Sequence, residues 1–417
     1  MKNKTKKNKK HKKTRPAAKS VLTLAVFALV LGGAFVFNII APNPETLQSE
    51  RRKPAAFPKF SADAVISGSF MNAFGKYAAD NFIFRDELRT IRAVSVFNVF
   101  MQTDKSGLYY DKNVGAGKFD KLNESAVRKT AEKIKKLCEF FPGPDIYFAA
   151  VPDKSYYAER YLPGFDLDRA LEILNEGLPG VNFIDLAAVM TGKDYYRTDI
   201  HWDQARFLRA GGILDALGAA MGFSDRLNKN LAANSAGDFH GVYAGQLALP
   251  LERDPMTYFT GAVLDNAVVS YFNPAADAWE KGVMYDLPAV GGRDPYDLFL
   301  KGVQPLITIE NPDADTDRQL YLFRDSFGSS LAPLLTPAYK KITLIDMRYI
   351  DSRVLDYYIA DDAPGSEAEA AALFVGGLLD GAGIFNPRLR GFAQTDADVL
   401  FLYSSQILNN PDVLMIK

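Results

Sequence analysis

Residues 320–330 read LYLFRDSFGSS, a short apolar run that ends in Arg324, Asp325 and Ser326 and leads into a helical stretch at 329–335. A continuous apolar run of this length fits a strand buried on both faces of a parallel sheet. Four other stretches share the pattern: IYFAAVPD at 146–153, VNFIDLA at 181–187, ITLIDMR at 342–348 and VLFLY at 399–403. Between them, residues 125–141, 166–178 and 203–221 place apolar side chains at helical spacing, with Phe207, Ala210, Leu214, Leu217 and Met221 on one stripe. Cys138 falls on another such stripe with Val127, Ala131, Ile134 and Phe141, and reads as core. Strands alternating with helices predict an α/β layered fold, a mostly parallel sheet with helices on both faces. Residues 224–317 are richer in Gly, Asn, Asp and Pro and read as an irregular insertion over the sheet. The Ala-rich stretch 366–383 reads as an extra helix or lid.

Outward from this body, the N-terminus changes character. The chain carries 49 Lys plus Arg against 50 Asp plus Glu, yet residues 1–19 hold ten basic residues and no acid, so the remainder is strongly acidic. Residues 21–41 (VLTLAVFALVLGGAFVFNIIA) contain no charge, and at about 1.5 Å per residue they span a bilayer core of about 30 Å. The basic excess before the span predicts a cytoplasmic N-terminus and an exported body, in a bacterial cell membrane. The expected organisation is a basic tail at 1–19, a signal anchor at 20–41 with a cleaved signal peptide as the alternative, a Pro-rich charged stalk at 42–59 and an extracytoplasmic domain at 60–417. Residues 60–104 open that domain with an amphipathic, aromatic-rich stretch that reads as helix. An acidic exterior disfavours nucleic acid.

With three histidines and one cysteine in 417 residues, imidazole and thiol chemistry have few places to occur. Ligands in such sheets bind beyond the carboxyl ends of the strands, and two segments there carry suitable groups. Ser326 follows a strand directly and precedes a helix, where backbone N–H groups can meet a developing oxyanion. The same Asp-Ser pattern is also an ordinary helix cap. In YYRTDIHWD, Asp199 and His201 stand two apart and share a face of extended backbone, so the carboxylate can fix the imidazole tautomer. Asp203 offers a cap to the following helix, which leaves Asp199 for other work. Trp202 and Tyr196, beside the imidazole, are candidates for stacking on a sugar ring. A second Asp-x-His pair, Asp238 and His240, raises a metal site as a further reading. No cofactor motif is present: there is no GxSxG, HExxH or GxGxxG.

TDIHWD followed about 125 residues later by RDSF resembles the DHHW-motif proteins and the SGNH-hydrolase-like domains of alginate O-acetylation proteins. The order of further pieces is similar too: ADNFIFRDELRTIR, GLYYDK, VPDKSYYAERYLP, GDFHG and IDMRY. The resemblance spans residues 70–417 and implies a flavodoxin-like SGNH sheet. It also implies Ser326 as nucleophile, His201 as base and Asp199 as orienting carboxylate. Its functional implication is O-acetyl transfer to an extracytoplasmic polysaccharide or cell-wall glycan, with a membrane O-acyltransferase as partner and acetyl donor. A carbohydrate acetylesterase with the same triad, and a non-catalytic glycan-binding or scaffold component, are the alternatives. Two positions depart from the pattern: Arg324 stands where the hydrolases have Gly, and Ile200 where the motif has its first His.

Overall fold

The computed structural model describes residues 18–40, 42–158, 164–227, 230–352 and 397–417. The chain divides into two compact units, Met1–Gln48 with Arg52–Arg89, and Ser49–Arg51 with Thr90–Lys417.

In the first unit, α1 (Ala18–Ile40) is long and apolar enough to cross a membrane over Lys19–Asn38, with mean hydropathy 2.4. The stretch read as one helix from residue 60 divides into α2 (Ala62–Ile66), α3 (Ser69–Asp80) and α4 (Arg85–Val94). Two left-handed residues, Gly68 at φ 75° and Phe84 at φ 55°, make the breaks. Arg52 grips Asp80 with both ends of its fork at 2.6 Å. That bond outweighs partial burial and lowers the carboxyl below its ordinary range.

In the second unit, β1 (Asp104–Lys105), β2 (Leu108–Asp111) and β3 (Gly115–Lys118) form a small antiparallel sheet. The main sheet draws on β4 (Asp145–Val151), β5 (Asn182–Ile184), β8 (Val268–Asn273), β9 (Ala278–Lys281), β10 (Leu306–Glu310), β11 (Gln319–Arg324), β12 (Lys341–Ile345) and β13 (Ala397–Ser404). Between β5 and β8 in the chain, β6 (Ala232–Phe239) and β7 (Asp254–Thr260) pair as a separate ribbon. The main order is β5-β4-β13-β11-β12-β10-β8-β9. The five strands expected from sequence are the parallel part, in which β11 lies between β13 and β12, near the middle of the whole sheet. The other three extend the β12 edge antiparallel. Segment 224–317 therefore holds irregular turns and the β6–β7 ribbon but also completes the sheet. Its strands escape a reading by hydrophobicity because β9 is exposed along its length and β8 alternates.

Helices cover both faces, as expected. α5 (Glu124–Cys138) and α6 (Leu167–Gly177) set Val127, Ile134 and Leu174 against Phe148, Phe323 and Phe401, with Cys138 at the margin of that core. On the opposite face α7 (Ile213–Met221) and α10 (Phe327–Leu335) set Leu217, Leu331 and Leu335 against Val151, Leu322 and Leu344. Between them in the chain lie two short helices, α8 (Val242–Leu247) and α9 (Ala262–Asn266). The helix read over 203–221 begins only at Ile213, because Gly211 takes φ 68° and only a single tight turn, Gln204–Arg206, precedes it. The proposed lid at 366–383 lies outside the described residues.

Candidate active site

β11 ends at Arg324 and α10 begins at Phe327, which leaves Asp325 and Ser326 on the turn at the carboxyl end of the central strand. Asp325 takes the capping duty: Oδ1 accepts the Phe327 N–H at 3.0 Å and Oδ2 the Ser404 N–H at 2.9 Å. Ser326 makes no cap bond. Its Oγ lies 2.8 Å from Nε2 of His201 instead, and Nδ1 of that ring lies 2.6 Å from Oδ1 of Asp199. The structure thus brings together the three residues singled out in sequence. With the proton on Nδ1, held by the carboxylate, Nε2 presents a lone pair to the serine hydroxyl.

Asp199 is fully buried and His201 is 8% exposed. Burial alone would raise the Asp199 carboxyl. The hydrogen bond and charge of His201, the Arg51 guanidinium and the Val242 N–H at 2.8 Å outweigh it and hold the group well below the usual carboxylate range. The imidazole lies flat on the Tyr296 ring, with centroids 3.7 Å apart and planes within 5°. The Tyr296 hydroxyl is fixed in turn by Ser330 Oγ on α10 at 2.7 Å.

The loop that carries Asp199 and His201 has little regular structure, so its shape comes from residues far away in sequence. Lys154 is buried and donates from Nζ to the carbonyls of Ala116, Tyr196 and Asp199 at 2.7, 2.7 and 2.9 Å. Burial pulls its pKa down to about 8 against the opposing pull of Asp199, Asp254 and Asp153. Asp254 accepts from the Arg197 N–H, the Thr198 N–H and the Thr198 hydroxyl at 2.8, 2.7 and 2.5 Å. Gly241 closes on the same loop so tightly that a Cβ there would meet the Thr198 carbonyl carbon at 2.3 Å. Arg51 reaches the site from the segment read as stalk. Its Nη1 bonds Asp294 at 2.7 Å, its Nη2 bonds the His240 carbonyl at 2.9 Å, and Nη2 stands 3.7 Å from Asp199 Oδ2. It does so from a left-handed backbone, φ 54°, whose carbonyl accepts from Arg293 Nε at 2.7 Å. None of Arg51, Lys154, Asp254 or Tyr296 carries a local pattern that marks it; only the Arg51-Arg52-Lys53 cluster stands out.

Three other expectations meet the structure here. Trp202 is buried and donates its indole N–H to the Phe327 carbonyl at 3.1 Å and to Ser330 Oγ at 2.8 Å. Tyr196 is buried with its hydroxyl 3.2 Å from Met256 Sδ. As placed, neither offers a ring face to solvent, and their part is to brace the loop against α10 and β7. His240 bonds the Leu251 carbonyl at 3.1 Å, and among the described residues no group of three or more His, Cys, Asp or Glu could hold a metal ion. Arg324, the departure from the glycine pattern, spends its side chain on the scaffold, with Nη1 3.1 Å from Ser329 Oγ and 3.6 Å from Asp346. Its stem presses on Gly328, where a Cβ would come within 2.6 Å.

No family model matches the chain, and no curated protein matches it. Among solved structures it is similar to a DHHW family protein from Eubacterium siraeum, 17% identical over 74% of this chain and 94% of that one, with TM-score 0.52. It is also similar to Bacillus cereus PatB1 with a sulfonyl adduct, 18% identical over 74% of this chain and 98% of that one, with TM-score 0.53. The O-acetyltransferase domain of Pseudomonas putida AlgJ matches more loosely, 12% identical over 73% of this chain and 92% of that one, with TM-score 0.39. The likeness to a DHHW family protein agrees with the resemblance read from TDIHWD and RDSF, and the α/β fold is shared.

Proposed function

We propose that the chain is an O-acetyltransferase that works through Ser326, His201 and Asp199 on an extracytoplasmic polysaccharide or cell-wall glycan. One observation carries the reading: the unbroken line from Asp199 Oδ1 to His201 to Ser326 Oγ, at 2.6 and 2.8 Å. A serine hydroxyl is a weak nucleophile until a base takes its proton, and a neutral imidazole held in one tautomer does so near neutral pH. Ser326 Oγ attacks the acetyl carbonyl carbon while its proton passes to His201 Nε2. The leaving group takes that proton as its bond to the acetyl carbon breaks. An acceptor hydroxyl then attacks the acetyl-serine as its proton passes to Nε2, and Ser326 Oγ leaves with that proton as its bond to the acetyl carbon breaks. Negative charge on the carbonyl oxygen is favoured at the positive end of α10.

The resemblance to alginate O-acetylation proteins supports a sugar hydroxyl as acceptor and a membrane O-acyltransferase as acetyl donor. The apolar α1 supports a site tethered to the bilayer. The test is release of acetate from an activated acetyl ester: Ser326→Ala and His201→Ala should each lose about 10³-fold or more in rate. Release at the wild-type rate by either variant would overturn the triad. Mass spectrometry of glycan incubated with donor separates the two acceptors, since acetate without acetylated sugar would mark an esterase.

A further inference from the structure

We propose that residues 57–84 form an apolar platform that lies in the headgroup region of a phospholipid leaflet. The proposal rests on the reading of α1 as a membrane anchor. Large apolar side chains crowd this stretch in the open: Phe60 is 77% exposed, Ile66 85% and Phe84 64%, with Phe57, Met71 and Phe82 also exposed. Single exposed apolar residues need no explanation, but a contiguous patch does. Phe57, Phe60, Phe70, Phe74 and Tyr77 form one, with Phe82 and Phe84 exposed on the turn that follows α3. Phe57 meets Phe70, Phe74 and Tyr77 edge-on at 6.5, 6.0 and 5.2 Å, and Phe60 meets Phe70 at 5.6 Å. Phe70, Phe74 and Tyr77 share one face of α3 by their spacing.

The depth of the patch is fixed by its bonds to the end of the apolar helix. The Ile83 N–H donates to Asn38 Oδ1 at 2.7 Å, and Asn43 Nδ2 donates to the Tyr77 hydroxyl at 3.1 Å. Asn38 is the last residue of the membrane-length apolar segment. Once that segment spans the bilayer, Tyr77 and the turn Phe82-Ile83-Phe84 sit at the boundary between lipid and water, the depth that aromatic side chains favour. Phe84 holds that turn in the left-handed region, which is costly for an aromatic residue and keeps Phe82 and Phe84 outward. Exposed Lys53, Lys59 and Lys76 belong to the same unit and suit anionic headgroups. The span itself sets a lipid surface beside the patch, which is why we commit to lipid rather than to a protein partner.

The chain offers a clean optical test, because its two tryptophans, Trp202 and Trp279, both lie in the other unit. Full-length Phe60→Trp and Phe84→Trp chains, each with Trp279→Phe, are placed in nanodiscs of phosphatidylcholine and phosphatidylglycerol, with or without acyl chains brominated near the headgroup. Burial at the headgroup boundary predicts that the emission added over the Trp279→Phe chain is blue-shifted and loses about half or more of its intensity to the brominated lipid. Two variants at separate positions, each checked for native ester hydrolysis, guard against a misfolded one. Water-exposed, unquenched emission from both, in a chain that resists alkaline extraction from membranes, overturns the platform alone. Release by alkaline extraction overturns the anchor and the platform with it. Shielding only when a membrane acyltransferase is added replaces lipid with a protein partner.

Discussion

Ser326 and His201 meet across 2.8 Å, yet the segments that bring them there are held in different ways. Ser326 follows a central strand paired on both sides and starts a helix whose every residue is buried, so regular backbone geometry alone places it. His201 and Asp199 sit on a loop whose shape is enforced by Lys154, Asp254, Gly241 and Arg51, from four other parts of the chain. The nucleophile is thus fixed locally and the base remotely. Damage to the base's supports should therefore lower rate without moving the nucleophile.

The largest expected effect attacks the loop at its functional end. Asp199→Asn keeps the shape but no longer selects the Nδ1–H tautomer, and the rate of ester hydrolysis should fall about 10⁴-fold with little change in melting temperature. Next comes Lys154→Met, which strands three buried carbonyls. Urea unfolding should show a loss of about 2–4 kcal/mol, and the fraction still folded should be less active than wild type. Unchanged activity per folded molecule would show that the loop holds itself.

Arg51→Met is milder and more discriminating. It removes the cation that stands 3.7 Å from Asp199 Oδ2 and helps to keep that buried carboxylate ionised. The rate should drop about ten-fold, with Arg51→Lys restoring most of it. A merely structural Arg51 would lower stability and leave the activity per folded molecule unchanged.

The smallest effect is in stability. Burial raises Asp203 to about 6, above its unfolded value of about 4. Its contribution is therefore fully present below about pH 4 and is lost as pH rises through about 6. Asp203→Asn keeps the cap on Ala205, now at 3.0 Å. It should stabilise the fold by roughly 1–2 kcal/mol at pH 7 and by nothing at pH 4, as read by thermal unfolding at the two pH values.

The contrast between the two segments also explains what was legible in the sequence. The parallel strands and the helices packed on them announce themselves by apolar runs and stripes, and Ser326 is readable because it stands at the end of one such run. Asp199 and His201 stand out by their spacing and by the scarcity of His, not through any sign of a fold. Lys154 and Arg51 had no such signal, because a basic residue after a strand or in a charged stalk looks solvated until three carbonyls or a buried carboxylate are seen around it. Trp202 and Tyr196 were drawn toward the substrate by adjacency in sequence, while their rings turn inward, as large aromatic side chains do when a core is within reach. β9 is hidden for the opposite reason: an edge strand exposed along its length carries too little apolar pattern to stand out.

A Ser326 nucleophile activated by His201 must pass through a covalent acetyl-serine, and that intermediate can be trapped. Full-length protein is mixed briefly with an activated acetyl ester, quenched in acid, digested and weighed by mass spectrometry. One acetyl group is expected on the peptide that carries Ser326 in the wild type, and none on it in His201→Ala. An unmodified Ser326 peptide while acetate is released, or equal labelling of wild type and His201→Ala, would contradict that mechanism.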